Sequence, residues 1–132
     1  MKRTEQREHI FKLMYEMEFH TPEEMKEQVE TYFELRDLTE NTAADYIRKK
    51  ADAAAERIEE IDALINEKAT GWKTARMNKV DLAILRLAVY EMEWDIDIPV
   101  SVAINEAVEL ARRFGGEESP AFVNGVIAKI VK

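Results

Sequence analysis

A strongly apolar segment in the second half of the chain reads Val80-Asp81-Leu82-Ala83-Ile84-Leu85-Arg86-Leu87-Ala88-Val89-Tyr90-Glu91-Met92. Its apolar residues would cover a helix on nearly every side, which is typical of a central helix surrounded by others. Three charges interrupt it, namely Asp81, Arg86 and Glu91. An unpaired ion inside a bundle costs several kcal/mol, so each must be paired or reach the surface. Either Arg86 bridges to a neighbouring carboxylate, or Arg86 or Asp81 emerges at a binding surface.

Helical periodicity continues on both sides of this segment. It predicts helices from Thr4 to about Phe19, over roughly 22–36, and from Thr42 to about Lys68, with a loop over 37–41. After the apolar segment, Pro99 begins the next helix and Gly115-Gly116 ends it. There Gly115 suits the left-handed residue that often follows a helix. Ser119 is then the expected cap of a last helix that Pro120 begins.

The composition fits this helical pattern. The chain has 132 residues, 4 Gly and 3 Pro, with 35% charged and 46% hydrophobic residues, which disfavours both a turn-rich β fold and disorder. We therefore expect an all-α bundle of about six or seven helices that forms a single domain over residues 1–132. The absence of cysteine excludes disulfides and Cys-based metal sites. With no apolar run long enough for a membrane span and no signal peptide at the start, we expect a cytoplasmic protein.

The chain shows no pattern typical of an enzyme. His9 and His20 are the two side chains suited to act as bases at neutral pH, and they have no metal-binding spacing. The four glycines form no phosphate-binding loop. We therefore expect no catalytic residues, no metal site and no cofactor.

The charge is unevenly distributed along the chain. The formal net charge is −8, but residues 21–70 hold fourteen acidic and seven basic residues, whereas 1–20 and 71–132 are nearly balanced. The N-terminus and the C-terminal half could therefore still offer a locally basic surface. Nucleic-acid affinity should be modest because the global field opposes a polyanion, and a basic partner would help.

Two aromatic features lie beside the predicted buried faces. Phe11, Tyr15 and Phe19 recur every four residues opposite the core side of the first helix, where another helix or a partner must cover them. Phe122 lies at the edge of the inward stripe of the last helix, on the side of Lys129. An aromatic ring beside a cation is either edge packing or a platform on which an unpaired base stacks.

Several ordered motifs resemble a known family. They are Trp72-x-x-x-Arg76, Val80-Asp81-x-Ala83-Ile84-Leu85-Arg86-Leu87-Ala88-x-Tyr90-Glu91, Ile98-Pro99-x-x-Val102-Ala103-Ile104-Asn105-Glu106-Ala107-Val108-Glu109-Leu110-Ala111, Phe114-Gly115, Ser119 and Phe122-Val123-Asn124-Gly125-Val126. Together they closely resemble the NusB family of transcription antitermination factors, most strongly over residues 72–127. Near the N-terminus, Arg7-Glu8 and Met14-Tyr15 look like the family's opening helix.

The resemblance implies an all-helical, non-catalytic RNA-binding protein. Such proteins pair with NusE, a small-subunit ribosomal protein, and the pair binds the single-stranded boxA element of nascent RNA. The pair acts in antitermination complexes with the transcription elongation machinery, notably on ribosomal RNA operons. Carried onto this sequence, the family's RNA surface implies Lys2, Arg3, Arg7, Arg86, Glu118 and Phe122. The NusE side implies Tyr15 and Asp81.

Two alternatives remain open at this stage. The same fold is the N-terminal domain of certain ribosomal RNA cytosine methyltransferases, so the chain could be an accessory domain of such an enzyme. It could also be a self-associating helical scaffold, in which the aromatic stripe of the first helix or the Phe122 edge is buried in a homodimer.

Overall fold

The computed structural model describes residues 1–38 and 42–131, which form seven α-helices and no strand. The helices are α1 (Arg3–Glu16), α2 (Pro22–Leu35), α3 (Thr42–Glu56), α4 (Ile58–Lys68), α5 (Lys79–Glu93), α6 (Val100–Phe114) and α7 (Ser119–Ile130). Short 3-10 turns at Met17–Phe19 and Thr74–Arg76 follow α1 and precede α5. The predicted all-α class is confirmed. Part of the loop predicted over 37–41 lies outside the described residues, at 39–41. No helix within the described ranges is long and apolar enough to cross a membrane.

Helix α5 is the centre of the bundle, as its composition predicts. Every residue from Asp81 to Val89 is buried, and α1, α3, α4, α6 and α7 all pack against it. Arg7 of α1 contacts Glu91 near the end of α5, whereas Glu18, after α1, contacts Arg86. The two helices are therefore antiparallel, and the N-terminus of α1 lies at the C-terminal end of α5.

The start of α2 follows from its capping residues. The Thr21 hydroxyl accepts a hydrogen bond from the Glu24 backbone N–H at 3.2 Å, and the Glu24 carboxylate accepts one from the Thr21 N–H at 2.8 Å. This capping box satisfies two helix-terminal donors, and Pro22 occupies the first helical turn where no N–H is needed. Only Tyr32 and Phe33 of α2 are buried, so this helix packs on the bundle through its C-terminal half.

The single helix predicted from Thr42 to Lys68 is wrong, because the chain breaks it at Arg57. There φ is −109° and ψ is 12°, and the Arg57 N–H donates to the carbonyl of Ala54, three residues back, at 3.1 Å. Helix α3 packs mainly on α1, whereas α4 packs on α5 and α7. Periodicity alone shows no break because both halves keep an apolar face, and it does not show that the two halves pack mainly on different helices.

The corner between α6 and α7 also differs from the prediction. Gly115 has φ −89° and ψ −177°, an extended rather than left-handed conformation. Glycine is required there by crowding: a Cβ atom would lie 2.4 Å from the Ser119 Cβ and 2.8 Å from the Ala111 carbonyl oxygen. Ser119 does not cap α7, because it lies inside the helix, and its hydroxyl accepts from the Gly116 N–H at 3.0 Å. Ser119 therefore closes the corner instead.

Candidate nucleic-acid interface

Two of the predicted cations lie on the surface at the start of α1. Lys2 and Arg3 are exposed. The Arg3 guanidinium lies over the ring of Tyr46 on α3, 3.7 Å from its centroid, and donates to the Gln6 side chain. The aromatic ring holds this cation at the surface without neutralising it.

Arg7 is placed in the interior, not on the surface where the resemblance puts it. It is 4% exposed, and its Nε and Nη2 donate to the Glu91 carboxylate at 2.9 to 3.1 Å. Lys50 of α3 reaches the same carboxylate at 2.5 Å, while Glu106 lies 3.3 Å from Arg7 and Asp95 lies 3.0 Å from Lys50. Burial alone would lower the pKa of both cations, but their contacts with Glu91 outweigh it and raise both pKa values. We call this group, Arg7, Lys50, Glu91, Asp95 and Glu106, the buried ion cluster; it joins α1, α3, α5 and α6.

Arg86 is paired within the protein, which is the bridging alternative of the sequence analysis. It is 8% exposed, and its Nε and Nη2 donate to the two Asp62 carboxylate oxygens at 2.9 and 2.7 Å, while Nη1 contacts Glu18. Desolvation would raise the pKa of Glu18, but Arg86 and Lys79 together outweigh it and lower that pKa. Arg86 thus connects α5 to α4 and to the 3-10 turn after α1.

Glu118 and Phe122 share the beginning of α7. Glu118 is exposed, and its carbonyl oxygen accepts from the Phe122 N–H at 3.0 Å. The half-buried Phe122 ring contacts Trp72, with ring centroids 5.1 Å apart and planes at 74°. Since Trp72 precedes α5 and the N-terminus of α1 lies at its other end, Phe122 and the Lys2–Arg3 pair are separated by roughly the length of α5, about 20 Å.

Tyr15 and the Asp81 segment come together around a shallow pocket of about 340 Å³. Its lining consists of Tyr15, Asn78, Lys79, Val80, Phe114, Gly115 and Gly116. Asn78 caps α5 by accepting from the Asp81 N–H at 2.8 Å, and its amide donates to Asp81 Oδ2 at 3.1 Å. The other carboxylate oxygen, Asp81 Oδ1, is buried and has no hydrogen-bond partner in the part of the chain that the structure describes. A buried acceptor without a donor is uncommon in a folded protein and costs stability.

Sequence reasoning missed two residues of these surfaces. The sequence could have identified Lys50, because it lies three residues after Ile47 on the buried face of α3 and therefore needs an internal counter-ion. Trp72 gives no signal of its contact, because it meets Phe122 across fifty residues of chain. In residues 1–38 and 42–131, no three His, Asp or Glu side chains converge where they could hold a metal ion.

The fold and these surfaces define an all-helical bundle with two exposed cations at the start of α1, an exposed Trp72–Phe122 contact and a pocket beside Tyr15. The chain belongs to the NusB family, whose profile matches residues 4–132. A protein of Agathobacter rectalis named transcription antitermination protein NusB is 53% identical over 129 residues, covering 98% of both chains.

Solved structures agree with this membership. A structure of T. maritima NusB superposes with a TM-score of 0.81 at 34% identity, over 98% of this chain and 90% of that one. A structure of antitermination factors NusB and NusE in complex with double-stranded RNA matches with a TM-score of 0.81 at 26% identity, over 98% of this chain and 97% of its counterpart.

Proposed function

We propose that this protein is a cytoplasmic transcription antitermination factor that binds single-stranded boxA RNA together with NusE. The pair would act on nascent transcripts, notably of ribosomal RNA operons, as part of the elongation complex. Family membership supports antitermination, and the matching complex of NusB and NusE with double-stranded RNA supports NusE and RNA as partners.

The observation that carries the proposal is the pocket where Tyr15 meets the first turn of α5, the turn whose Asp81 has an unpartnered Oδ1. A buried carboxylate oxygen without a donor costs about 1–3 kcal/mol, which a partner's N–H or cation would recover if the Asp81 side chain turns toward the pocket when the partner docks. The half-buried Tyr15 ring adds an apolar contact to the same pocket. This combination favours a basic protein partner and supports the NusE side of the proposal.

The RNA side is expected to be weak without that partner. Of the predicted cations, Arg7 and Arg86 are both paired internally, which leaves Lys2 and Arg3 with exposed charge. We assign Arg7 and Arg86 the role of holding α1 and α5 in position, and Glu118 the role of accepting from a base amino group or a ribose hydroxyl. Two cations on a chain of net charge −8 release few counterions, so NusE must supply further positive charge.

The decisive experiment is a titration of fluorescent boxA-type RNA with an equimolar mixture of this protein and NusE. Each protein alone and a scrambled RNA are the controls. We expect tight, sequence-selective binding by the mixture and weak binding by either protein alone. If the mixture binds no better than the separate proteins, the proposal that both proteins bind the RNA together is refuted. Light scattering of the pure protein then tests whether it is a homodimeric scaffold.

Two sets of variants separate the surfaces. Tyr15→Asp should abolish NusE association while the circular dichroism spectrum stays unchanged, and association at the original affinity would remove Tyr15 from the partner face. The double variant Lys2→Ala, Arg3→Ala should reduce the salt dependence of RNA binding by about 1 in log–log slope for each lost phosphate contact. The matched control, Lys49→Ala with Lys68→Ala, removes two exposed cations elsewhere and should leave that slope unchanged.

A further inference from the structure

An exposed aromatic contact lies in the segment before α5. Trp72 is 50% exposed although tryptophan is usually well covered, and its ring meets the half-buried Phe122 ring. Its position is set by the backbone: Gly71 adopts φ +91°, and the Trp72 N–H donates to the Ala69 carbonyl at 2.9 Å. The turn therefore holds a large, rigid aromatic surface toward solvent.

The angle between the two rings restricts what can lie on them. Their planes cross at 74°, so a base lying flat on one ring stands nearly edge-on to a base lying flat on the other. Successive bases of a regular helix are parallel and cannot occupy both rings. An unpaired strand can, because its bases turn independently and stack on aromatic side chains.

Helix α7 continues this surface with a glycine that the fold does not require. Gly125 lies in the interior of α7, where glycine costs about 0.5–1 kcal/mol relative to alanine, and a Cβ atom there would have nothing within 4 Å. At 100° per residue, Glu118, Phe122, Gly125 and Lys129 form one stripe beside the buried face. A bare backbone one turn after Phe122 allows a ligand to approach α7 closely.

The charges around the two rings favour a polyanion. Lys73 and Arg76 are exposed one and four residues after Trp72, and Lys129 is exposed on the stripe of α7. Glu118 is the acidic member of that stripe. These three cations can pair with the phosphates of a single strand whose bases stack on the two rings.

We propose that Trp72 and Phe122 form a corner that takes two successive unstacked bases of the single-stranded RNA, and that the RNA backbone crosses α7 at Gly125. This inference rests on the proposed RNA-binding function and adds Trp72 and Gly125 to its surface. Each ring makes a separate stacking contact with one base, and the absence of a side chain at Gly125 leaves room for the RNA backbone.

The test measures RNA affinity by anisotropy with the NusE mixture, using boxA-type RNA, for variants at Trp72 and Gly125. Trp72→Ala and the apolar but non-aromatic Trp72→Leu should each weaken binding about five- to one-hundred-fold, whereas Trp72→Phe should recover most of the affinity because it keeps an aromatic face. Leu35→Ala, which removes another exposed apolar side chain, should have no effect. In a Trp94→Phe background, Trp72 is the remaining tryptophan, and RNA should quench its fluorescence.

Gly125→Ala should change stability and RNA affinity in opposite directions. It should raise the Tm, since alanine favours the helix and meets no neighbour, yet weaken RNA binding several-fold because the methyl group occupies the path of the strand. Thr31→Ala on the exposed face of α2 is the matched control, with a higher Tm and unchanged RNA affinity.

The outcomes distinguish this inference from the function on which it rests. If the unaltered mixture fails to bind RNA, the proposed function fails. If the mixture binds RNA but Trp72→Leu and Gly125→Ala bind as well as the original chain, the corner is refuted and the function stands. If Trp72→Ala weakens NusE association and leaves RNA affinity per complex unchanged, the corner is a protein contact and the inference is equally refuted.

Discussion

Replacing Glu91 by glutamine should destabilise the protein strongly, because this side chain is the centre of the buried ion cluster. Glu91 is 1% exposed and accepts hydrogen bonds from both Arg7 and Lys50. Glutamine keeps the size of the side chain and removes its charge. The variant therefore isolates the electrostatic contribution from the packing contribution.

The contacts that survive set the expected magnitude. Breaking a buried ion pair by neutralising one partner costs about 3–5 kcal/mol, since the remaining charge is buried without compensation. In the Glu91→Gln variant, Glu106 still lies near Arg7 and Asp95 near Lys50. Because these pairs remain, we expect the loss of unfolding free energy to lie at the lower end of that range, about 3 kcal/mol. With an unfolding entropy of about 2.1 cal/mol/K per residue over 132 residues, that loss lowers the Tm by roughly 10 °C.

Urea unfolding followed by circular dichroism at 222 nm measures this loss. The matched control is Glu93→Gln, an exposed carboxylate on the same helix, which should change the free energy of unfolding by less than about 0.5 kcal/mol. A triple variant with methionine at Arg7, Lys50 and Glu91 should be more stable than Glu91→Gln, because it leaves no buried cation. The acidic neighbours of the cluster, 15% and 22% exposed, can still reach water.

The reasoning is refuted if Glu91→Gln loses less than about 1 kcal/mol with an unchanged m-value. It is also refuted if the triple methionine variant is the less stable of the two. The first result would mean that the Glu91 ion pairs do not hold α1 against α5. The second would mean that Glu106 and Asp95 compensate the two cations once Glu91 is neutral.

Three further predictions concern local structure and pH, each measured as the free energy of unfolding in urea. Gly115→Ala should cost about 1–3 kcal/mol because its Cβ would meet the Ser119 side chain, whereas Gly116→Ala, which meets nothing, should not; equal losses would contradict the crowding argument. Thr21→Ala should cost about 1 kcal/mol by removing the cap of α2, and an unchanged stability would show that this helix end contributes nothing. The pKa of Glu18 is lower in the folded protein than the usual glutamate pKa of 4.5. Its pairing therefore stabilises the protein above pH 4.5, and this stabilisation is lost as the pH falls through the folded pKa. Glu18→Gln should flatten the acid limb of stability against pH, and an identical limb would contradict the pairing.

Much of the fold and part of the site could be predicted from local patterns. The apolar character of Leu82 to Val89 identifies α5 as the centre, and Thr21 with Pro22 identifies the start of α2. Both depend on neighbours a few residues apart, through helical periodicity and capping. The need for partners at Glu91 also follows from sequence, because burial of an ion is costly wherever the partner lies.

Only the tertiary structure decided which cations keep their charge at the surface. Arg3 and Arg7 lie one helical turn apart, yet the exposed Arg3 rests on the half-buried Tyr46 ring while Arg7 meets Glu91, 84 residues further along the chain. The break at Arg57 and the meeting of Trp72 with Phe122 were decided in the same way. A sequence determines its helices through interactions between residues within one turn. Which side chains are buried and which are exposed is decided only when distant helices pack together. A rotation of a helix by one residue, or one bend, changes which side chain faces water.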